Sequence, residues 1–260
     1  MTSLGGDAMK HPPSGLARLN QVSPTVWETL SRKRIYFGHQ SVGANILDGL
    51  GRVFAGPAAI RLNIRETSEP SGLARPVLAH SLIGRNADPK SKIDQFREIL
   101  ENGVGRAADM AMIKLCFADI DRKTDIGSLF EFFTETLSAL ESQFQGLRII
   151  PWTVPLRTMP PGFKPAVKRL FGLTPALAAD NLPRHLFNEK LRARNGEFLF
   201  DLAKAEAVRP ERRKMPAESG GRKLELPCRA YSSDGGHLNA LGSEVIAVDL
   251  LLFLARLVSA

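Results

Sequence analysis

Short β-prone runs alternate with amphipathic helical patterns along most of this chain, and that alternation limits the fold more than any other feature. Residues 34–37 (RIYF) form a short β-prone run that stops at Gly38. Residues 41–54 then carry Val42, Ile46, Leu47, Leu50 and Val53 at close to helical spacing. Residues 60–64 alternate apolar and polar side chains and read as a strand. The rhythm continues with a helix over 91–100, a buried strand over 109–117 (DMAMIKLCF), a helix over 126–144 and a strand over 147–154 (LRIIPWTV). A helix over 182–194, a short strand over 198–202 and a final helix over 238–258 complete it. Parallel strands need crossover connections, and helices in those connections cover both faces of the sheet. The expected architecture is therefore a three-layer α/β/α sandwich around a central parallel sheet. In such sheets functional residues collect at the carboxyl ends of the strands.

Segments between these patterns are expected to be irregular. Residues 1–21 read as a flexible arm, leaving 22–260 as one domain that opens with a short helix over 22–31. Residues 66–89 hold three prolines and two glycines and read as a long loop. Residues 155–180 hold five prolines and read as a meandering excursion with one short helix. Residues 207–229 are highly charged and read as a surface loop.

Two blocks carry residue types suited to nucleophilic chemistry. The first is Gly38-His39-Gln40-Ser41-Val42-Gly43, between the first strand and its helix. A serine there faces free N–H groups and the positive end of the helix dipole, which favour a developing oxyanion. The bland alternative is a serine that only caps the helix. The second block is Ser233-Asp234-Gly235-Gly236-His237-Leu238-Asn239, just before the last helix. A tight turn there lets Asp234 hold the His237 ring while the second ring nitrogen faces a nucleophile. The bland alternative is a loop aspartate and a helix-capping histidine.

Taken together, the blocks resemble the SGNH (GDSL-like) hydrolases, in a branch with a Gly-His-Gln-Ser first block and an Asp-Gly-Gly-His last block. The resemblance runs from about residue 34 to the C-terminus and implies that family's flavodoxin-like sandwich and serine esterase chemistry. It implies Ser41 as nucleophile, His237 as general base and Asp234 as its orienting carboxylate. It implies an oxyanion hole from the Ser41 and Gly84 N–H groups. The family's third-block asparagine is absent, since the matching place reads Cys116-Phe117-Ala118-Asp119. Asn86 is the expected substitute donor, with Gln40 a further candidate. His39, Gln40 and Asp119 are expected to contact substrate or support the site. The substrate expected is a small ester, an O-acetylated carbohydrate or a lipid ester, with no metal or cofactor required. An acyltransferase with the same triad, or a degenerate family member binding an anionic partner through its basic surface, stays open as an alternative.

Composition narrows the rest. With 43% hydrophobic and 24% charged residues in 260, the chain is neither collagen-like, coiled-coil nor wholly disordered. The net charge of +8 includes clusters at Lys164–Arg169, Arg184–Arg194 and Arg209–Lys223. Aromatic interleaving is missing, so these read as solubilising charge and no nucleic-acid partner is expected. Cys116 and Cys228 read as two reduced thiols. The run 119–125 looks superficially like a calcium loop but lacks its central glycine and distal glutamate. The apolar stretch 245–260 is interrupted by Asp249 and Arg256 and is shorter than the roughly 20 residues needed to span a bilayer. No apolar leader precedes residue 20, so a cytoplasmic location is the default expectation.

Overall fold

Along the first strand, Ile35 and Phe37 point into one apolar core while Tyr36 points into a second on the opposite face. That alternation is what a strand covered on both sides requires. The computed structural model describes residues 15–158, 175–208, 216–219 and 222–259. In chain order these form α1 (Gly15–Leu19), α2 (Pro24–Ser31), β1 (Arg34–His39), α3 (Ser41–Ala55), β2 (Ile64–Glu66), β3 (Val77–Leu82), α4 (Pro89–Ile99) and α5 (Gly105–Ala107). There follow β4 (Met110–Ile113), α6 (Ile126–Gln143), β5 (Arg148–Pro151), α7 (Pro175–Asn195), α8 (Leu202–Ala207), β6 (Pro216–Ser219), β7 (Arg222–Glu225) and α9 (Ala240–Ser259).

Strands β1 to β5 make one parallel sheet in the order β2-β3-β1-β4-β5. Helices α2, α3 and α9 pack on one face, and α4, α6 and α7 on the other. The chain is thus the expected three-layer α/β/α sandwich. From β1 it moves to one side of the sheet through β2 and β3, then crosses to the other side through β4 and β5. The carboxyl end of β1 is therefore the switch point, where a crevice opens above an open α/β sheet.

The α3–α9 contact fixes the site from below. A β-carbon on Gly49 would fall 2.1 Å from the Ser243 carbonyl oxygen, so the two helices cross with backbone against backbone. Only glycine permits that approach.

Several expectations need correction. β3 lies within the segment read as the long loop 66–89. Prolines at 70, 76 and 89 hid it, although Val77, Leu78 and Ala79 are buried and pair with β1, and Leu78 and Ala79 also with β2. The strand expected over 60–64 is instead the short edge pairing of β2, beginning at Ile64. Pairing in β4 stops at Ile113. Residues 198–202 reduce to a single bridge between Trp152 and Phe200. The segment 207–229 contains the β6–β7 hairpin, with Leu224, Leu226 and Cys228 buried.

Of the expected arm, 1–14 lies outside the described residues, while 15–19 is helical and docked. Leu19 is buried, its carbonyl accepts from the Trp27 indole at 3.3 Å, and Arg18 pairs with Asp249 at 2.7 Å. Residues 159–174 of the proline-rich excursion and the basic run 209–215 also lie outside the described residues. Within the described residues no helix is long and apolar enough to cross a membrane. Cys116 and Cys228 are both free and buried.

Candidate active site

Ser41 is the first residue of α3, immediately after β1 ends at the switch point. Gln40 occupies the cap position, and no side chain caps this helix, so the Ser41 hydroxyl is not used for capping. It lies 3.0 Å from His237 Nε2. The N–H groups of a first helical turn have no intrahelical acceptor. Here Gly43 and Ala44 both donate to the Gln40 carbonyl, and the Ser41 and Val42 N–H groups have no acceptor among the described residues.

Asp234-Gly235-Gly236-His237 folds into the tight turn its composition suggested. Gly235 has φ +84°, a conformation suited to glycine. Asp234 Oδ1 accepts from the Gly236 and His237 backbone N–H groups at 2.8 and 2.7 Å. Its Oδ2 lies 2.6 Å from His237 Nδ1. Partial burial disfavours the carboxylate, but the hydrogen bonds from the His237 ring, the His237 N–H and the Gly236 N–H outweigh it. They hold Asp234 far below the usual carboxylate range. A carboxylate only accepts, so Nδ1 carries the ring proton and Nε2 is left to accept from the serine hydroxyl. Leu238 N–H donates to Asn45 Oδ1 on α3 at 3.3 Å, which ties the histidine loop to the serine helix. The Phe117 ring stands edge-on to the His237 imidazole, with centroids 5.3 Å apart.

The remaining candidates divide. Gln40 Nε2 donates to the Ile83 and Gly84 carbonyls at 2.8 and 2.9 Å, so its amide anchors the β3–α4 loop and is not free for an oxyanion. Gly84 N–H donates to Gln95 Oε1 at 2.6 Å, and that exposed side chain must leave before Gly84 can serve a ligand. Asn86 Oδ1 accepts from Lys92 Nζ at 3.0 Å, while its Nδ2 has no hydrogen bond among the described residues.

Asp119 is buried beneath this loop. It takes both Lys92 Nζ contacts, at 2.7 and 2.6 Å, and the Ala87 and Cys116 N–H groups. These contacts engage both carboxylate oxygens and tie Asp119 to the loop from below. The other acidic residues of the 119–125 run have local partners, Asp121 with Lys123 and Thr124, and Asp125 as the cap of α6.

His39 is buried beside the serine loop. Its Nδ1 faces the Gln40 carbonyl at 3.0 Å and therefore carries a proton, so Nε2 accepts from His80 Nδ1 at 3.1 Å. Burial, with the nearby His80 and Lys114 charges, pushes His39 down to about 4. It is a neutral support for the loop at ordinary pH. Phe117 and Asn45 were not singled out from the sequence. The available signal for Phe117 was an aromatic residue just past the carboxyl end of a strand.

Glu206 on α8 is a further buried polar group. It is 1% exposed, and among the described residues its Oε1 has no hydrogen-bond partner. Burial pushes its carboxyl up to about 8, against the pull of the Lys114 ammonium. The folded protein therefore keeps a proton on Glu206 that the unfolded chain releases above about 4.5. Stability falls as pH rises from about 4.5 to about 8 and levels beyond. Glu206→Gln should melt with wild type near the bottom of that window and several degrees above it at the top. Melting curves of the two proteins that stay parallel across the window would contradict this.

No protein-family model and no curated protein sequence matches the chain. Among solved structures it is similar to the acetyl xylan esterase AlAXEase, at TM-score 0.48 and 17% identity over 84% of this chain and 97% of that one. It is also similar to a lipase/acylhydrolase from Enterococcus faecalis, at TM-score 0.46 and 16% identity over 86% and 96% of the two chains. These overlaps record a likeness of overall shape. The chemistry has to be read from the chain's own side chains.

Proposed function

We propose that this chain is a serine ester hydrolase working through an acyl-enzyme. The observation that carries the reading is the continuous hydrogen-bonded line Asp234–His237–Ser41, built from two segments nearly the whole domain apart in sequence. His237 Nε2 takes the hydroxyl proton as Ser41 Oγ attacks the acyl carbon, and Asp234 stabilises the imidazolium. The oxyanion forms at the amino end of α3, with the Ser41 N–H as first donor. Asn86 Nδ2 is the second donor, and Gly84 N–H the third once Gln95 swings away. His237 then gives its proton to the departing alcohol, and a water activated by the same nitrogen releases the acid. The substrate class is a small acyl ester, with O-acetylated carbohydrates and lipid esters within it.

The test is release of nitrophenolate from p-nitrophenyl acetate by wild type and by Ser41→Ala, with both melting temperatures measured. Turnover that is lost in an equally stable variant supports the reading. Equal rates in the two proteins overturn it. Analysis of products in the presence of a sugar or alcohol acceptor separates hydrolysis from acyl transfer.

A further inference from the structure

Arg157 follows β5 at the same edge of the sheet, and its guanidinium lies over the Phe117 ring at 5.2 Å from the centroid. Phe117 is the ring packed against His237. On its other side Arg157 abuts the triad turn, since a β-carbon on Gly236 would lie 3.4 Å from Arg157 Nε. The neighbouring backbone is held firmly. Asn181 accepts from the Arg157 N–H at 2.9 Å and donates to its carbonyl at 2.7 Å, and Thr158 N–H donates to the Gly235 carbonyl at 2.8 Å. The guanidinium has open donors: among the described residues Nε is buried with no hydrogen-bond partner.

The nearby carboxylates are committed elsewhere. Asp234 holds His237, Asp180 pairs with Arg122 at 2.8 Å, and Asp119 pairs with Lys92. The other cation close by, Arg184, is fixed on the Phe117, Ile120 and Asn181 oxygens. Burial, opposed by Asp180 and reinforced by the Arg157 charge, lowers Arg184 to about 10. A desolvated Nε without an acceptor is a cost to stability, and it leaves the terminal nitrogens of the same guanidinium to meet a ligand. Arginine's planar fork suits a carboxylate or phosphate.

Resting on the esterase reading, we propose that Arg157 is a specificity residue that recognises an anionic group carried by the ester substrate. Its place beside the triad turn puts that anion on the same small molecule as the scissile bond. The preferred substrate class is accordingly an acidic ester rather than a neutral one.

Matched esters test this. On the acyl side the pair is mono-p-nitrophenyl succinate and p-nitrophenyl butyrate, and on the alcohol side meta-acetoxybenzoate and phenyl acetate. Wild type should favour the charged member of one pair by about tenfold or more in kcat/KM. Arg157→Gln should erase that preference while moving the neutral ester less than about threefold, and Arg157→Lys should keep part of it. The pair that shows the effect tells which side of the ester bears the anion. No preference in either pair, or an equal loss on charged and neutral esters, overturns the proposal. If wild type hydrolyses no ester, the esterase reading fails separately. Calorimetric binding of benzoate to wild type and Arg157→Gln then decides the anion site alone. Binding lost in the variant sustains it, and equal or absent binding overturns it.

Discussion

Replacing Ser41 with alanine is expected to lower kcat for ester hydrolysis by roughly a thousandfold or more. His237→Ala should lose a similar factor, and the double variant no more than either alone, because the two side chains act as one unit. Multiplying losses would mean that they act independently, and the acyl-enzyme account would not survive. Ser41→Ala should leave the melting temperature within a few degrees, since the hydroxyl neither caps α3 nor fills a core. Asp234→Asn separates geometry from charge. The asparagine oxygen can still accept the Gly236 and His237 N–H groups, but the contact to Nδ1 no longer enforces the reactive tautomer. Its expected loss is of order 10⁴-fold in kcat with the turn preserved.

The largest stability effect is expected at the Lys92–Asp119 pair, whose side chains are fully buried 2.6 Å apart. Removing either partner leaves an uncompensated buried charge, at a cost of about 3–5 kcal/mol. Asp119→Ala also orphans the Ala87 and Cys116 N–H groups, so it should be the worse single change. Lys92→Met combined with Asp119→Ala should recover part of the loss, because no charge is then left buried alone. Urea denaturation of the three variants measures this. A double variant as unstable as the summed singles would show that the pair is not coupled. Activity should fall in Asp119→Ala even with the triad intact, since the Ala87 contact positions the loop that carries Gly84 and Asn86.

The two outer blocks of the site were legible because each is local. Residues 38–43 turn from strand into helix, and 234–237 close on themselves through one carboxylate. The parallel sense of the sheet followed from the alternation of strands and helices, but its strand order and β3 did not. Its strand is short and bracketed by prolines, and its burial comes from neighbours brought in from far along the chain. Asp119 was legible by its place after β4, but its pairing with Lys92 was not, since that partner sits 27 residues earlier and only the fold brings the two together. Arg184 was counted among the surface charges for the same reason. It lies on α7, buried, and bonded to carbonyls that follow β4. Arg157 was lost in a proline-rich run whose composition gives no hint that it closes beside the triad turn.

The central claim is that Ser41 is an activated nucleophile. Intact-mass measurement after treatment with a fluorophosphonate, followed by peptide mapping, tests it most directly. The expected result is one phosphonyl group per chain, located on Ser41 and absent from Ser41→Ala. A folded wild-type protein that takes up no label, or a label that persists unchanged in Ser41→Ala, would contradict the account.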